Sequence, residues 1–381
     1  MGKRELLLIA AFLIVGAVVY QSTAPPAGPN ERRISFSGIL DHIRREMRGN
    51  RANAETTRVT THELAAGMNE VRVAGIYGEL TITGEDRRDI EARFRVSSNG
   101  YDEAEARKYV ELSQLKADRA GSALRLTSVF PTGGRQRAVL TLLVPSRLTV
   151  RVDQGAPRTT IANVGALEIP GIRGETTLKK IAGRVTVSHR GGRINIEDVA
   201  SLKFTGRGSD ATVTKVRGDA SFSMQSGELS ATAIGGPIDV EAQNAEITLK
   251  RLEESQGPLR VSATSGSVTL EGLRGEARID GRNTEIDVVM SKAGAVAVYN
   301  EGGEPIELTL PPGGFAVDAL VTDGRLTLPD DLRHQLSASG GDDDKEHRAT
   351  GAVRGGGPTI TLRANHGDIT IRAREPSKTE R

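Results

Sequence analysis

The chain has 381 residues, enough to bury a sizeable core and, by length alone, to form two or three domains. Its net charge of +2, its 3% aromatic content and its lack of tryptophan exclude the clustered basic and stacking surfaces that nucleic acid requires. The absence of cysteine removes disulfides, thiolate metal sites, cysteine nucleophiles and lipid attachment at an N-terminal cysteine.

The chain begins with Lys3 and Arg4 ahead of an unbroken apolar run from Leu6 to Tyr20. Fifteen helical residues rise about 22 Å, and continuing to Ala24 brings the helix to about 28 Å, close to a hydrocarbon core of about 30 Å. Residues 1–24 are therefore predicted as a transmembrane signal anchor, partnering the lipid bilayer through residues 6–24. The rival is a cleaved secretion signal ending at Ser22-Thr23-Ala24, where Pro25 would follow the cut. In either case the positive N-terminal side stays cytoplasmic and the remainder is extracytoplasmic.

Residues 25–56 read as a linker containing a short basic amphipathic helix. Ile39, Leu40, Ile43 and Met47 are helically spaced, Arg44, Arg45 and Arg48 follow, and Gly49 is a stop. The arginines complement the helix C-terminus or rest on anionic headgroups. Residues 57–145 form an N-terminal β region with one short helix. Leu80 and Ile82 alternate after Gly78, Ile90, Phe94 and Val96 mark a second strand, and Asp102 with Glu105 is a capping box.

Residues 146–329 carry a repeat. Gly165, Gly174, Gly183 and Gly192 are nine apart, as are Gly218, Gly227 and Gly236, and Gly257, Gly266 and Gly275. Two and four positions after these glycines come apolar pairs such as Val185/Val187, Ile194/Ile196, Ala220/Phe222 and Val268/Leu270, with Thr176 beside Leu178 as a slip. Period-two alternation puts each pair on one strand face, and no unit can bury two side chains alone, so successive units must stack. The predicted fold class is all-β: a β-solenoid, β-helix-like, built from strand-turn units of roughly nine residues, with two or three strands per coil. A meander of hairpins is the structural rival, but its Asn-Gly and Asp-Gly turns are scarce. Residues 330–356 read as a flexible polar loop, 357–376 as closing β-strands and 377–381 as a tail.

The "VPSRLTVRV" strand, the glycine-led units and the closing "GAVRGGGPTITLRANHGDITIR" resemble a bacterial envelope family of β-strand repeats, a family of unknown function labelled as adhesins. The resemblance covers roughly residues 68–375. It implies an envelope protein without enzymatic activity, often behind a transmembrane segment. The first thirty residues then place the chain in the bacterial inner membrane as a single-pass protein with its main domain periplasmic or at the cell surface. Its motifs are structural and carry over no catalytic residue.

The chain's own chemistry agrees. No catalytic, cofactor-binding or metal-ligating residue is predicted. His42, His62, His189, His334, His347 and His366 are scattered, His62-Glu63 lacks a second metal-binding histidine, and His366 reads as a turn residue. Asp342, Asp343, Asp344, Glu346 and His347 form an acidic loop with nothing rigid to order them. The outward residue between paired slots is mostly Thr or Ser, as at Thr177, Thr186, Thr212, Ser221, Ser230, Thr248 and Thr269. The charged exceptions are Glu168, Lys203, Asp239, Arg260, Arg278 and Asp287. Two strands per coil would align Asp239, Arg260 and Arg278, the residues on which a polysaccharide-active, lyase-like enzyme would depend. The expected role is a scaffold or adhesin-like surface, open to a protein or glycan partner and not to nucleic acid.

Overall fold

The computed structural model describes Phe12, Val15, Gly16, residues 52–132, 135–153, 155–341 and 345–373. The first strands are β1 (Ala52–Glu63), β2 (Glu70–Ala74), β3 (Gly78–Glu85) and β4 (Asp89–Gly100), followed by helix α1 (Glu103–Leu112). β5 (Gln114–Ala120), β6 (Ala123–Val129), β7 (Arg135–Pro145), β8 (Thr149–Val152), β9 (Arg158–Ala162) and β10 (Ala166–Ile172) lead into β11 (Glu175–Val216), a 42-residue ribbon that runs around several corners. Then come β12 (Ala220–Ile234), β13 (Ile238–Lys250), β14 (Leu259–Leu273), β15 (Ala277–Met290), β16 (Val296–Glu301), β17 (Ile306–Thr309) and β18 (Phe315–Thr322). The chain closes with β19 (Leu326–Thr327), α2 (Asp330–Arg333), β20 (Ser337–Ser339), β21 (Glu346–Val353), β22 (Thr359–Asn365) and β23 (Ile369–Arg372).

The chain divides into two compact units. The smaller comprises Met1–Thr56, Val96–Gln114 and Phe130–Arg137. Within it, Asp102 caps α1 by accepting from the Glu105 amide at 2.8 Å, and Glu105 accepts from the Tyr101 amide at 2.7 Å, the predicted capping box. Ala106 and Val110 form the helix's buried face.

The larger unit comprises Thr57–Arg95, Leu115–Val129 and Ala138–Arg381, and it is a β-solenoid. Leu202 stands opposite Ala220, and Ala211 opposite Leu229, each eighteen residues on in parallel register. A coil therefore holds two nine-residue units, and each coil adds one strand to each of two ladders. Ladder A runs Leu202, Ala220, Ile238, Leu259, Ala277, Val296. Ladder B runs Ala211, Leu229, Ile247, Val268, Ile286, Ile306. The predicted slot pairs face inward, with Leu167/Ile169, Val185/Val187, Leu259/Val261 and Ala277/Ile279 at most 3% exposed. Thr176 takes its slot at 1% exposure, and its hydroxyl finds no partner.

The nine-residue glycine spacing marks two alternating corners. At the corner after ladder A the chain passes through the left-handed region, at Ser226, Asn244, Ser265 and Asn283 with φ of 47–63°. Gly227 follows with φ +99°. At the corner after ladder B, Gly236 has no such φ. There a Cβ would sit 2.6 Å from the carbonyl carbon of Gly218, whose oxygen accepts the Gly236 amide at 3.0 Å. Both corners crowd out a side chain, since a Cβ on Gly227 would also sit 2.3 Å from the Ser209 oxygen. Both turn through the left-handed region, at Lys215, Ala233 and Arg251 after ladder B. What differs is that Gly227 itself carries the unusual angle and Gly236 does not.

Neither end of the stack follows chain order. β2 lies between β6 and β8, and β3 between β7 and β9. At the other end β22 lies between β16 and β18, and β23 between β17 and β19. The closing strands are thus an internal coil, and β18/β19 form the outer one.

Three sequence boundaries are corrected. The N-terminal β region placed at 57–145 is not separate, because β2, β3, β6 and β7 stack into the same ladders as the repeats. The linker placed at 25–56 is strand from Ala52. The predicted loop 330–356 holds α2, β20 and β21: β21 pairs antiparallel with β18 and buries Ala349 and Val353, a bond pattern its polar composition conceals. The amphipathic helix expected at 39–48, the acidic run Asp342–Asp344 and the 377–381 tail lie outside the described residues. So does most of segment 1–24, of which Phe12, Val15 and Gly16 are helical. Among the described residues no helix is long and apolar enough to cross a membrane.

Candidate functional surface

Ladder A strands continue their alternation past the slot pair. A third inward position holds Gly206, Met224, Ala242 and Ala263, all buried. Gly206 is small because Met224 fills the space above it: a Cβ there would lie 2.8 Å from the Met224 sulfur. Over this third position runs an outer groove of about 460 Å³ spanning four coils. Two registered rows line it. One is Thr205, Ser223, Glu241 and Ser262; the other is Arg207, Gln225, Gln243 and Thr264. Successive side chains in a row are one coil apart, about 4.8 Å. The rows offer alternating donors and acceptors with one acid and one base, and no aromatic platform. These positions lie outside the residues between slot pairs. The signal was present in "ASFSMQ", "IDVEAQ" and "LRVSAT", whose alternation runs two residues longer than the slot pair.

Asp239, Arg260 and Arg278 do fall in one column, as two strands per coil requires. They do not converge into a cleft. Arg278 is held by Asp280 at 2.8 Å and lies over the Tyr299 ring at 4.8 Å from its centroid, which raises the guanidinium pKa through the Asp280 hydrogen bond. Across ladder B, Asp287 stands directly opposite Glu307. Burial first, and then Glu307, holds the Asp287 carboxyl above the usual range.

The histidines are likewise dispersed. His366 is a corner residue with φ +66°, beside Asp323 at 3.6 Å, as the turn assignment expected. His62 is half-buried near Thr60, and His347 lies in β21. Among the described residues no group of His, Asp and Glu is placed to hold a metal ion.

His189 is fully buried. Its Nε2 is 3.2 Å from the Gly174 carbonyl, which only accepts, so Nε2 carries the proton. Nδ1 then accepts from the Ser209 hydroxyl at 2.9 Å, and Ser209 Oγ in turn accepts from the Gly191 amide at 3.2 Å. Ser209 is 0% exposed, so this Ser–His pair has no access to substrate and acts as a brace across the corners. Burial pulls the His189 pKa below its ordinary 6.5. The unfolded chain therefore takes up a proton near pH 6.5 that the folded chain refuses, and stability falls as pH drops below that value. Urea midpoints measured from pH 7.5 down to 5 are expected to decline, and His189→Gln to decline less steeply. Parallel slopes for the two proteins would remove the brace from the account.

Comparison with known proteins places the profile of the Toastrack DUF4097 family on residues 78–372. No functionally curated protein matches. Several solved structures are similar, three of them as follows. One is a candidate cell adhesion protein from Clostridium sporogenes, 9% identical, covering 84% of this chain and 100% of its own, TM-score 0.20. Another is a candidate adhesin from Parabacteroides distasonis, 13% identical, covering 65% and 95%, TM-score 0.28. The third is a candidate adhesin from Bacteroides fragilis, 12% identical, covering 84% and 97%, TM-score 0.26.

Proposed function

Because the chain belongs to the Toastrack DUF4097 family, we propose that it is a non-enzymatic, membrane-anchored envelope protein whose solenoid groove holds a neutral glycan strand. The observation that carries this reading is the four-coil groove with its paired rows of hydroxyls and amides. Gln225 and Gln243 stand opposite each other in register and present the same donor and acceptor one coil apart. A repeating hydroxyl-rich polymer meets such a row several times over, so weak single contacts add along its length. A small, strongly charged ligand has no such match, since the groove holds one carboxylate and one guanidinium. The apolar run from Leu6 to Tyr20 behind Lys3 and Arg4 supports the anchor and an extracytoplasmic groove.

The test is biolayer interferometry of the full chain in nanodiscs against dextran, cellohexaose and chitohexaose. At least one polymer is expected to bind. Gln225→Ala with Gln243→Ala removes two hydrogen-bonding groups of about 1 kcal/mol each, a loss of roughly tenfold or more at unchanged melting temperature. Silence toward all three sinks the glycan assignment. Intact mass of the membrane-extracted protein tests the anchor: a chain starting after Ala24 would overturn it.

A further inference from the structure

Ladder A slips register at one place in its early coils. Ile169 stands opposite Val187, but Ile172 stands opposite His189, so β10 carries one residue more than β11 across this stretch. The extra residue falls at Pro170-Gly171. Proline suits a bulge, where its missing N–H costs no ladder bond. Beside the bulge lies a hollow of about 500 Å³, within the range that small-molecule sites occupy.

Its lining is of two kinds. Pro157, Pro170 and Ile172 are apolar; Asp153, Arg173 and Arg190 are charged. Asp153 is already held by Arg151 at 2.7 Å. Neither Arg173 nor Arg190 has an ion-pair partner among the described residues. Beneath the hollow, His189 donates to the carbonyl of Gly174, another lining residue, so the group below offers the arginines no negative charge. Two cations and an apolar patch therefore share one concave surface whose single carboxylate, Asp153, is held by Arg151.

Ile172 packs against Gly155, where a Cβ would come within 2.4 Å of its Cδ1. Gly171 is the opposite case. A Cβ there would meet nothing within 4 Å, and its φ is ordinary, so a side chain at 171 would grow into open space.

We propose that this hollow binds a small organic anion, with its phosphate or carboxylate between Arg173 and Arg190 and a short apolar body on Pro157, Pro170 and Ile172. Guanidinium donors favour oxyanions through charge-assisted hydrogen bonds. The site shares no lining residue with the four-coil groove, so it stands or falls separately from the glycan assignment.

Titration calorimetry on the full chain in zwitterionic nanodiscs, with empty nanodiscs subtracted, tests it using four probes. Hexyl phosphate and hexanoate distinguish the two head groups, while inorganic phosphate and 1-hexanol each carry half of the required chemistry. At least one of the two anions is expected to bind, at least tenfold more tightly than either half-probe. Arg173→Ala with Arg190→Ala should weaken it at least tenfold. Gly171→Leu should abolish it by filling the hollow, with both variants melting as the parent does. Binding by neither anion, equal binding of 1-hexanol, or full binding by Gly171→Leu would each overturn the proposal. If Gly171→Leu lowers the melting temperature, the arginine pair alone decides.

Discussion

A chain ending at Gly356 is expected to lose cooperative folding of the solenoid, although it lacks only the last two strands. In an ordinary stack the chain's last coil is the outer one, and its removal shortens the array by one nearest-neighbour term. Here β22 and β23 are sandwiched between β16/β17 on one side and β18/β19 on the other. Removing them strips the backbone bonds from both neighbours and leaves β18 with β21 alone. Ile360, Leu362, Ile369 and Ile371 are at most 2% exposed, and burying each is worth about 1.5–3 kcal/mol. Together that is about 6–12 kcal/mol, the size of a whole domain's net stability of about 5–15 kcal/mol. Urea unfolding followed by circular dichroism checks the outcome. A truncated protein that still unfolds in one sharp transition, with less than about 2 kcal/mol lost, would mean the coil is a dispensable end.

The same topology marks where sequence stops being informative. A slot pair such as Val185/Val187 announces its strand and its buried face locally, because alternation and a bounding glycine are contained within nine residues. The stacking of units follows from their inability to bury two side chains alone. That the closing strands slot inside β18/β19 follows from nothing near residues 357–373. It is a pairing across more than sixty positions, Val296 with Ile360 and Ile306 with Ile369, and no local pattern encodes it. β21 was hidden for a related reason: Glu346, His347 and Arg348 look like loop, and pairing with β18, joined at Arg348 by β20, makes them strand. The groove was half legible. Its inward residues Met224, Ala242 and Ala263 extend a visible alternation, but which outward rows form a concavity depends on how the coils stack.

The two glycine columns offer the sharpest test of that stacking, because two members of one column should respond in opposite ways. Gly236 and Gly275 both sit at the corner after ladder B, and neither has a positive φ. A methyl on Gly236 would be 2.6 Å from the Gly218 carbonyl carbon and 2.8 Å from the Asp219 nitrogen, both backbone and unable to swing aside. The coils would have to separate where the Gly236 amide bonds Gly218, and Gly236→Ala is expected to cost about 1–3 kcal/mol, with Gly236→Val costing more. A methyl on Gly275 would meet the Gly257 oxygen at 3.9 Å, ordinary van der Waals contact. Gly275→Ala should therefore be neutral, or stabilise by up to about 1 kcal/mol through the less mobile unfolded chain. Ala200 already occupies the equivalent place one coil before Gly218, accepting its amide at 2.8 Å, so the column is not closed to a methyl on principle. Paired urea midpoints for the two alanine variants decide the matter. Equal losses would mean that glycine is needed at this corner for backbone freedom, and the close approach of coils would no longer explain the spacing.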